Sequence, residues 1–147
     1  MKPTVVLDSG PFGLLFQKQG IVPADECRVW LKRLLAAGVK VLVPEIVHYE
    51  LRRELLRLNK ANAAARASKF CHDTFGRYIP ITTAAMMLAA EMWATARRRG
   101  RPTADVHALD VDVILAAQVL SSGHDPSAFV VATTNITHLS QFVPAAI

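Results

Sequence analysis

Short runs of apolar and β-branched residues alternate along the chain with longer segments of helical periodicity. The short runs have the length of buried strands and cover residues 4–7, 39–43, 78–81 and 128–132, with a last one at 142–143. The helical segments cover residues 25–37, 45–59, 62–76, 83–99 and 110–121. Strands separated by helices imply right-handed crossovers and a parallel sheet that helices cover on both faces. The pattern therefore predicts the α/β fold class.

Length and composition narrow the class of protein further. A chain of 147 residues has the size of one domain, so we expect residues 1–147 to form a single domain. With 52% hydrophobic and 20% charged residues, the chain is too apolar for a disordered protein. Its longest apolar stretch, 79–96, contains Glu91 and falls short of a membrane span. Two cysteines, Cys27 and Cys71, are too few for a disulfide framework and favour reduced thiols in a cytoplasmic protein.

The net charge of +5 is unevenly distributed along the chain. Residues 51–101 carry eleven Lys and Arg side chains against three acidic ones, whereas the rest of the chain carries six basic and nine acidic side chains. This asymmetry is expected either for a protein with a polyanionic partner or for a soluble protein with an ordinary basic face. The densest basic cluster consists of Arg97, Arg98, Arg99 and Arg101. The cluster is either an RNA contact or a solvated helix end that complements the helix dipole.

Side-chain oxygens follow two of the predicted strands. Asp8 is the first polar residue after the run at 4–7, and Asn135 follows the run at 128–132. In open parallel sheets, ligands bind outside the carboxyl ends of the strands, which is where both side chains are expected. The alternative for each residue is an ordinary turn or helix-cap position, which Asp and Asn both favour.

Two predicted helices carry acids beside their apolar stripes. Glu50 directly precedes Leu51 and there needs a hydrogen bond, an opposite charge or a metal. The alternative is an ordinary surface arrangement, either of Glu50 with Arg53 or of Glu50 with Glu54 and Arg57. Asp112 shares a helical face with apolar residues, and Asp110 lies about 200° around the helix from it. One arrangement makes Asp110 the N-cap and Asp112 the inward group. In the other, both acids only complement the positive helix end.

These acids can meet at one edge of the sheet and form a site for a divalent cation. The oxygen-bearing side chains come from four elements: Asp8, Glu50, Asp112 and Asn135. Such oxygens suit Mg²⁺, with Mn²⁺ as a substitute. An ion held there lowers the pKa of a bound water and neutralises charge on a phosphodiester. The acids would then hold the metal, and Lys and Arg would hold the nucleic-acid backbone.

Five segments give the chain its resemblance to a known family. They are, in chain order, Val5-Val6-Leu7-Asp8-Ser9, Val43-Pro44-Glu45-Ile46-Val47-His48-Tyr49-Glu50-Leu51, Arg98-Arg99-Gly100-Arg101-Pro102, Asp112-Val113-Ile114-Leu115-Ala116-Ala117 and Thr133-Thr134-Asn135-Ile136-Thr137-His138-Leu139. The chain resembles the PIN-domain proteins, and among them the VapC-type toxins of bacterial toxin–antitoxin pairs. The resemblance implies a three-layer α/β/α sandwich with a short parallel sheet. It also implies a Mg²⁺-dependent endoribonuclease that forms a homodimer and is restrained by a small antitoxin protein.

The resemblance also implies roles for individual residues. Asp8, Glu50 and Asp112 take the family's first three acidic positions, and Asn135 takes the fourth, where the family admits Asn as well as Asp. Asp8 and Asp112 are the expected direct metal ligands. The chain departs from the family pattern at Gly10, where an Asn often follows the first Asp, and at His138, where an Asp often precedes the aromatic. One acid fewer weakens the case for a second metal ion, and Asp110 is an additional acid.

Two other functions are compatible with the same residues. One is a PIN-like module that binds RNA or protein and is catalytically weak because its acidic site is depleted. The other is a phosphotransferase of the haloacid-dehalogenase type with Asp8 as nucleophile. That family has a second Asp two residues after the first, where this chain has Gly10. The ribonuclease remains the main hypothesis.

Overall fold

The structure is a computed structural model that describes residues 3–100, 109–125, 127–133 and 145–146. Its strands are β1 (Thr4–Leu7), β2 (Val41–Pro44), β3 (Tyr78–Ile79), β4 (Phe129–Ala132) and β5 (Ala145–Ala146). Its helices are α1 (Ser9–Leu14), α2 (Val22–Ala36), α3 (Glu45–Arg57), α4 (Ala61–His72), α5 (Thr83–Arg98) and α6 (Leu109–Leu120). Helices separate β1, β2, β3 and β4 from one another along the chain, so the predicted α/β class is confirmed.

The strands form one parallel sheet in the order β3-β2-β1-β4-β5. Along the chain, the sheet grows from β1 through β2 to β3, and then on the other side of β1 through β4 to β5. With right-handed crossovers, this change of direction places α5 and α6 on the opposite face from α1 to α4. The predicted α/β/α sandwich with a short parallel sheet is therefore confirmed. Ligands of open α/β sheets bind at such a change of direction, which here lies between β1 and β4.

The central strands and α6 supply most of the core. Val6, Leu7, Val43 and Val131 are completely buried, as expected for short apolar strands between two layers of helices. In α6, every residue from 113 to 119 is buried. A helix with apolar residues on all sides is stable only when it is buried on all sides. The core thus holds α6 firmly against the sheet.

Helix α1 follows β1 directly and is not predicted by the hydrophobic pattern. Its six residues, Ser-Gly-Pro-Phe-Gly-Leu, include two glycines and a proline, which disfavour helix interiors. Asp8 caps its first turn and Phe12 is completely buried. At its other end, Arg28 of α2 donates through Nη1 to the carbonyl oxygens of Leu14 and Gln17, at 3.4 and 2.8 Å. The carbonyl oxygens at the end of a helix lack partners within the helix, and Arg28 supplies partners for them here. Contacts with other parts of the fold therefore stabilise α1, and the intrinsic helix propensity of its residues does not.

Other element boundaries differ from the predicted ones by a few residues. Helix α2 begins at Val22 rather than at residue 25, with Pro23 in the first turn, where a missing N–H costs nothing. Helix α4 ends at His72 rather than at residue 76. The predicted strand at 142–143 lies outside the described residues, and β5 is formed instead by Ala145–Ala146. Among the described helices, none is long and apolar enough to cross a membrane.

Candidate active site

Asp8 lies at the carboxyl edge of the sheet, between β1 and β4. The register pairs Leu7 with Ala132, so the next residue of each strand, Asp8 and Thr133, lie opposite each other. The backbone N–H of Asp8 continues the ladder by donating to the carbonyl oxygen of Ala132 at 3.0 Å. The structure therefore places Asp8 where the sequence predicts it, at the point where the direction of the sheet changes.

Both oxygens of the Asp8 carboxylate are held by hydrogen bonds. The backbone N–H of Ser9 donates to Oδ1 at 2.8 Å, and the hydroxyl of Thr133 donates to Oδ2 at 2.6 Å. The Asp8 residue is only 5% exposed and Thr133 is 1% exposed. A buried carboxylate is stable only with such donors or with a cation. Asp8 is also the N-cap of α1, so the helix-cap interpretation of this residue is correct as well.

Thr133 is a functional candidate that the sequence analysis does not single out. Its neighbour in the sequence, Thr134, and the candidate Asn135 lie outside the described residues. Thr133 and Asp8 are 125 positions apart in the sequence, and only the pairing of β1 with β4 brings them together. The alignment of the two predicted strands at the centre of the sheet is the signal that could have revealed the contact.

Glu50 lies on α3, within two turns of the end of β2. It follows Ile46 by four residues and Val47 by three, so its side chain starts between two buried neighbours, and the residue is half-buried. Among the described residues, Glu50 has no ion pair, and the surface pairing with Arg53 is not formed. Arg57 pairs with Glu54 instead. Glu50 is thus a half-buried carboxylate close to the carboxyl edge.

Asp112 lies in the first turn of α6. Because α6 runs back across the sheet before β4, its first turn lies at the same edge as the ends of the strands. Asp112 is half-buried and immediately precedes the buried segment 113–119. Helix α6 begins at Leu109, which places the backbone of Asp110 inside the first turn and not at the predicted N-cap. The side chain of Asp110, like Arg101 and His138, lies outside the described residues.

The donor set at this edge fits a hydrated magnesium ion. An ionised carboxylate has about four acceptor positions, and the contacts of Asp8 with Ser9 and Thr133 occupy two of them. Mg²⁺ typically binds one or two carboxylates and keeps several waters. In the described part of the chain, no three His, Cys, Asp or Glu side chains cluster as a metal site. A hydrated cation held by the two carboxylates Asp8 and Asp112 remains a prediction.

Comparisons with known proteins bear on the fold. No protein-family model and no curated protein matches the chain. Solved structures do match: FitAcB from Neisseria gonorrhoeae aligns over 98% of this chain and 97% of its own, with a TM-score of 0.67 and 17% identity. For DNA-bound VapBC from Salmonella typhimurium, the coverage is 99% and 98%, the TM-score 0.69 and the identity 16%. Mycobacterium tuberculosis VapC20, a sarcin–ricin loop cleaving toxin, aligns over 95% and 97%, with a TM-score of 0.63 and 19% identity.

The chain has a PIN-like fold. The agreement covers nearly the whole length of each protein, so it extends over the sheet and the helices on both of its faces. The fold predicted from the five resemblance segments is confirmed. The roles predicted for Asp8, Glu50, Asp112 and Asn135 remain predictions.

Another acid, Glu45, lies at the start of α3. Its Oε1 accepts a hydrogen bond from the backbone N–H of Ile81 at 2.6 Å, which ties α3 to the segment after β3.

One turn further along α3, His48 is buried against α4, with its Nε2 3.1 Å from the hydroxyl of Ser68. Burial lowers the pKa of His48, and the positive charges of Arg52 and His72 lower it further. His48 is therefore a neutral packing residue near neutral pH.

The basic residues of 51–101 divide into two groups. Arg77 is buried, pairs with Asp73 at 2.7 Å and lies over the Phe70 ring. Arg97 is half-buried, with its guanidinium 5.3 Å from the centre of the Trp93 ring. The exposed group comprises Arg52, Arg53, Arg57, Lys60, Arg66, Lys69, Arg98 and Arg99. Composition therefore overstates the basic surface, and the predicted RNA contact at the end of α5 rests on Arg98 and Arg99 more than on Arg97.

Proposed function

We propose that this protein is a Mg²⁺-dependent endoribonuclease that hydrolyses RNA phosphodiester bonds, and that it is the toxin of a toxin–antitoxin pair. The observation that carries the proposal is the buried Asp8 carboxylate, oriented by Ser9 and Thr133 at the carboxyl ends of β1 and β4. The shared fold with VapC20, a sarcin–ricin loop cleaving toxin, supports RNA as the substrate class.

The residues at the carboxyl edge of the sheet have different roles in hydrolysis. A divalent cation held by Asp8 and Asp112, Mg²⁺ or its substitute Mn²⁺, would lower the pKa of an attacking water and neutralise charge on the phosphodiester. Asp8 keeps one orientation because donors fix both of its oxygens. Glu50, half-buried and close to the same edge, would orient the attacking water and accept its proton as the water oxygen bonds to phosphorus. The P–O bond to one ribose oxygen would break, and that oxygen would leave with a proton from solvent. Asn135 contributes an amide that positions water or metal.

The substrate strand is held by cations. Exposed arginines and lysines of α3 and α4 lie on the helix pair that carries Glu50, and exposed Arg98 and Arg99 form a separate basic group at the end of α5. Arg101, the fourth member of the predicted cluster, lies outside the described residues. Such side chains neutralise phosphates without reading sequence, so binding should weaken as salt rises. RNA affinity is therefore expected to fall as salt rises from 50 to 200 mM, and the steepness of the fall reports how many phosphates the protein contacts.

The decisive test is cleavage of RNA by the purified chain, with and without Mg²⁺. We expect Asp8→Asn to reduce the rate by more than about 100-fold, since even residues that only support metal ligands typically contribute 10- to 100-fold. The matched control is Asp125→Asn, which alters an exposed acid that bonds only Ser127 in the described structure. Undiminished cleavage by Asp8→Asn would refute the mechanism.

Asp112 and Asp110 are separated by the same assay. Residues two apart lie about 200° apart around a helix, so we propose that only one of these two positions of α6 serves the metal. We expect Asp112→Asn to be the more damaging change. If Asp110→Asn is instead the more damaging, the third acid is assigned to the wrong residue.

A catalytically weak binding module is the second candidate. It is favoured by the departure at Gly10 and by the lack of a three-residue metal cluster among the described side chains. Calorimetric titration with Mn²⁺ distinguishes the two functions, because the nuclease must bind the ion and a depleted module need not. An absence of Mn²⁺ binding, together with intact RNA binding, would favour the module.

The proposal includes two protein partners and a location. The FitAcB and VapBC structures that share the fold support an antitoxin as partner. A homodimer is proposed as well, and exposed Met86 and Met87 on α5 offer it an apolar surface. The free thiols of Cys27 and Cys71 suit a cytoplasmic location. Light scattering of the purified chain, alone and co-expressed with a candidate antitoxin, measures both associations.

A further inference from the structure

Gln118 is a buried polar residue for which the proposed chemistry has no use. It lies on α6, is 1% exposed and is surrounded by the apolar residues of segment 113–119. A buried amide is costly unless its donor and its acceptor both find partners. Gln118 meets this requirement by bonding two other elements of the fold.

The two ends of the Gln118 amide reach different elements. Its Oε1 accepts from the backbone N–H of Ile46 at 3.1 Å, and its Nε2 donates to the carbonyl oxygen of Ile79 at 2.7 Å. The first N–H groups of a helix lack partners within the helix, and Pro44, the N-cap of α3, offers no side-chain acceptor. Gln118 therefore caps α3 from a different helix and binds β3 at the same time.

A hydrogen bond of Glu45 completes a closed set of three hydrogen bonds with the two of Gln118, and we call this set the circuit. Its carboxylate, next to Ile46 at the start of α3, accepts from the N–H of Ile81, two residues after Ile79. Helix α6, the start of α3 and the end of β3 are thus joined pairwise: α6 to α3, α6 to β3, and α3 to the segment after β3. Three elements joined in this way cannot shift past one another without breaking a hydrogen bond.

The circuit lies between the two helices that carry candidate catalytic acids. Ile46 is one helical turn before Glu50 on α3, and Gln118 lies six residues after Asp112 on α6. We propose that Gln118 is a positioning residue, which fixes α3 against α6 and thereby sets the placement of Glu50 relative to Asp112. This inference rests on the proposed function, in which both acids act on one phosphodiester.

An apolar residue of similar volume would fill the same space but would not fix the position of α3 relative to α6. Methionine in place of Gln118 keeps the packing and removes both hydrogen bonds, so α3 can slide along α6 while the core stays dry. Displacements of about 1 Å in a catalytic group can reduce a rate by about 100-fold. Substrate binding should be affected less than catalysis, since exposed arginines neutralise phosphates without the precise placement that the reacting groups need.

The test compares Gln118→Met with Val119→Ala in the full-length chain. Val119 is completely buried next to Gln118, so its truncation weakens the same helix without touching the circuit. We expect Gln118→Met to lower kcat for RNA cleavage by about 10-fold or more with KM little changed. We expect Val119→Ala to lower the thermal midpoint and leave kcat near the wild-type value. Amide hydrogen exchange at Ile46 should accelerate only in Gln118→Met.

Gln118→Glu gives an independent readout through pH. A neutral carboxylic acid at this position can accept from Ile46 and donate to Ile79, whereas a carboxylate cannot donate. Burial raises the pKa of such an acid, so its activity relative to wild type should rise as the pH falls from 8 to 6. Gln118→Met should show no such rise.

The outcomes are distinguishable from those of the proposed function. If wild type cleaves RNA and Gln118→Met keeps its kcat, the positioning role is overturned while the nuclease stands. Equal loss of kcat in Gln118→Met and Val119→Ala would also overturn it, because general destabilisation would then explain both. If wild type shows no metal-dependent cleavage, the proposed function fails, and unchanged exchange at Ile46 in Gln118→Met would show separately that the amide does not hold α3.

Discussion

Two junctions between a strand and a helix lie side by side at the carboxyl edge of the sheet, and each begins with an acid. In the first, Asp8 follows β1 and caps α1; in the second, Glu45 follows β2 and begins α3. The two strands are neighbours in register, with Val6 opposite Leu42. In the sequence the two acids look alike, since each directly follows a short apolar run.

The structure gives the two acids different tasks. Asp8 is buried beside β4, where the sheet changes direction, and its partner there is the Thr133 side chain. Glu45 is half-buried on the side of β3, and its partner is the backbone of the segment after that strand. Ligands of open α/β sheets bind at the change of direction, where Asp8 lies, whereas Glu45 lies one strand away and ties α3 to the segment after β3. Position in the sheet, and not local sequence, separates the two.

The largest expected effect tests how the first junction is held. Phe12 is the completely buried residue of α1, and its ring packs against Phe16 at a centroid distance of 5.2 Å. Phe12→Ala should lower the free energy of unfolding by about 3–5 kcal/mol, as is typical of Phe-to-Ala changes in cores. Urea unfolding followed by circular dichroism measures the change.

The control for Phe12→Ala is the same substitution at Phe75, which is fully exposed in the turn before β3. Surface substitutions usually change stability by less than about 0.5 kcal/mol. If the two variants are equally destabilised, burial of Phe12 does not hold α1, and the account of the first junction fails.

The next effect concerns the contact between β1 and β4. Thr133→Val keeps the shape of the side chain and removes the hydroxyl that donates to Asp8. We expect a loss of about 2 kcal/mol in the free energy of unfolding, because hydrogen bonds to charged groups are typically worth 1.5–3 kcal/mol. Cleavage should also slow by about 10-fold, since the support of a metal ligand is lost. Thr133→Ser, which retains the hydroxyl, should stay near wild type in both measurements.

The second junction should respond more weakly. Glu45→Ala removes the acceptor for the Ile81 N–H, but this site is half-buried and water can replace part of the lost bond. We expect a loss of about 1 kcal/mol in the free energy of unfolding. Glu45→Gln keeps an acceptor oxygen and should lose less. A larger loss of stability for Glu45→Ala than for Thr133→Val would reverse the comparison of the two junctions.

Strong local patterns make most of the fold predictable. The apolar run at 4–7 is β1, and Thr82 caps α5 through its hydroxyl, which accepts from the N–H of Ala85 at 3.0 Å. Helix α1 could not be predicted, because its two glycines and its proline argue against a helix and its stability comes from Asp8, Phe12 and Arg28. Helix formation there depends on residues that are distant in the sequence.

The candidate site is predictable only in part for the same reason. Asp8 can be predicted, since a polar residue directly after a buried strand is visible in the sequence. Thr133 and Gln118 cannot, because their partners lie 125 and 72 positions away. A count of basic residues also includes Arg77 in the basic surface, although this side chain is buried against Asp73 and the Phe70 ring. Burial and long-range pairing therefore limit what the sequence alone can show.

The smallest expected effect is a pH dependence of stability, which arises where α1 and α3, the helices of the two junctions, contact each other. His48 of α3 lies edge-on to Phe12 of α1, with ring centres 6.4 Å apart, so its charge would fall on the seam between the helices. Burial, Arg52 and His72 lower the pKa of His48 below its usual 6.5, against a smaller opposing effect of Glu45. The unfolded chain thus binds this proton more readily than the folded chain. Stability should be complete above pH 6.5 and fall as the pH decreases through the folded pKa.

Urea unfolding at pH 7.5 and 5.5 measures this difference, and His48→Gln should flatten it. The matched variant is Asp125→Asn, because hydrogen bonds from Ser127 lower the pKa of Asp125 below 3.8. Its contribution is present above that value and is lost only at more acidic pH, so the difference between pH 7.5 and 5.5 should keep its wild-type size. If His48→Gln retains the wild-type difference, the seam between α1 and α3 tolerates a charge. The two junctions would then respond to acid independently of each other.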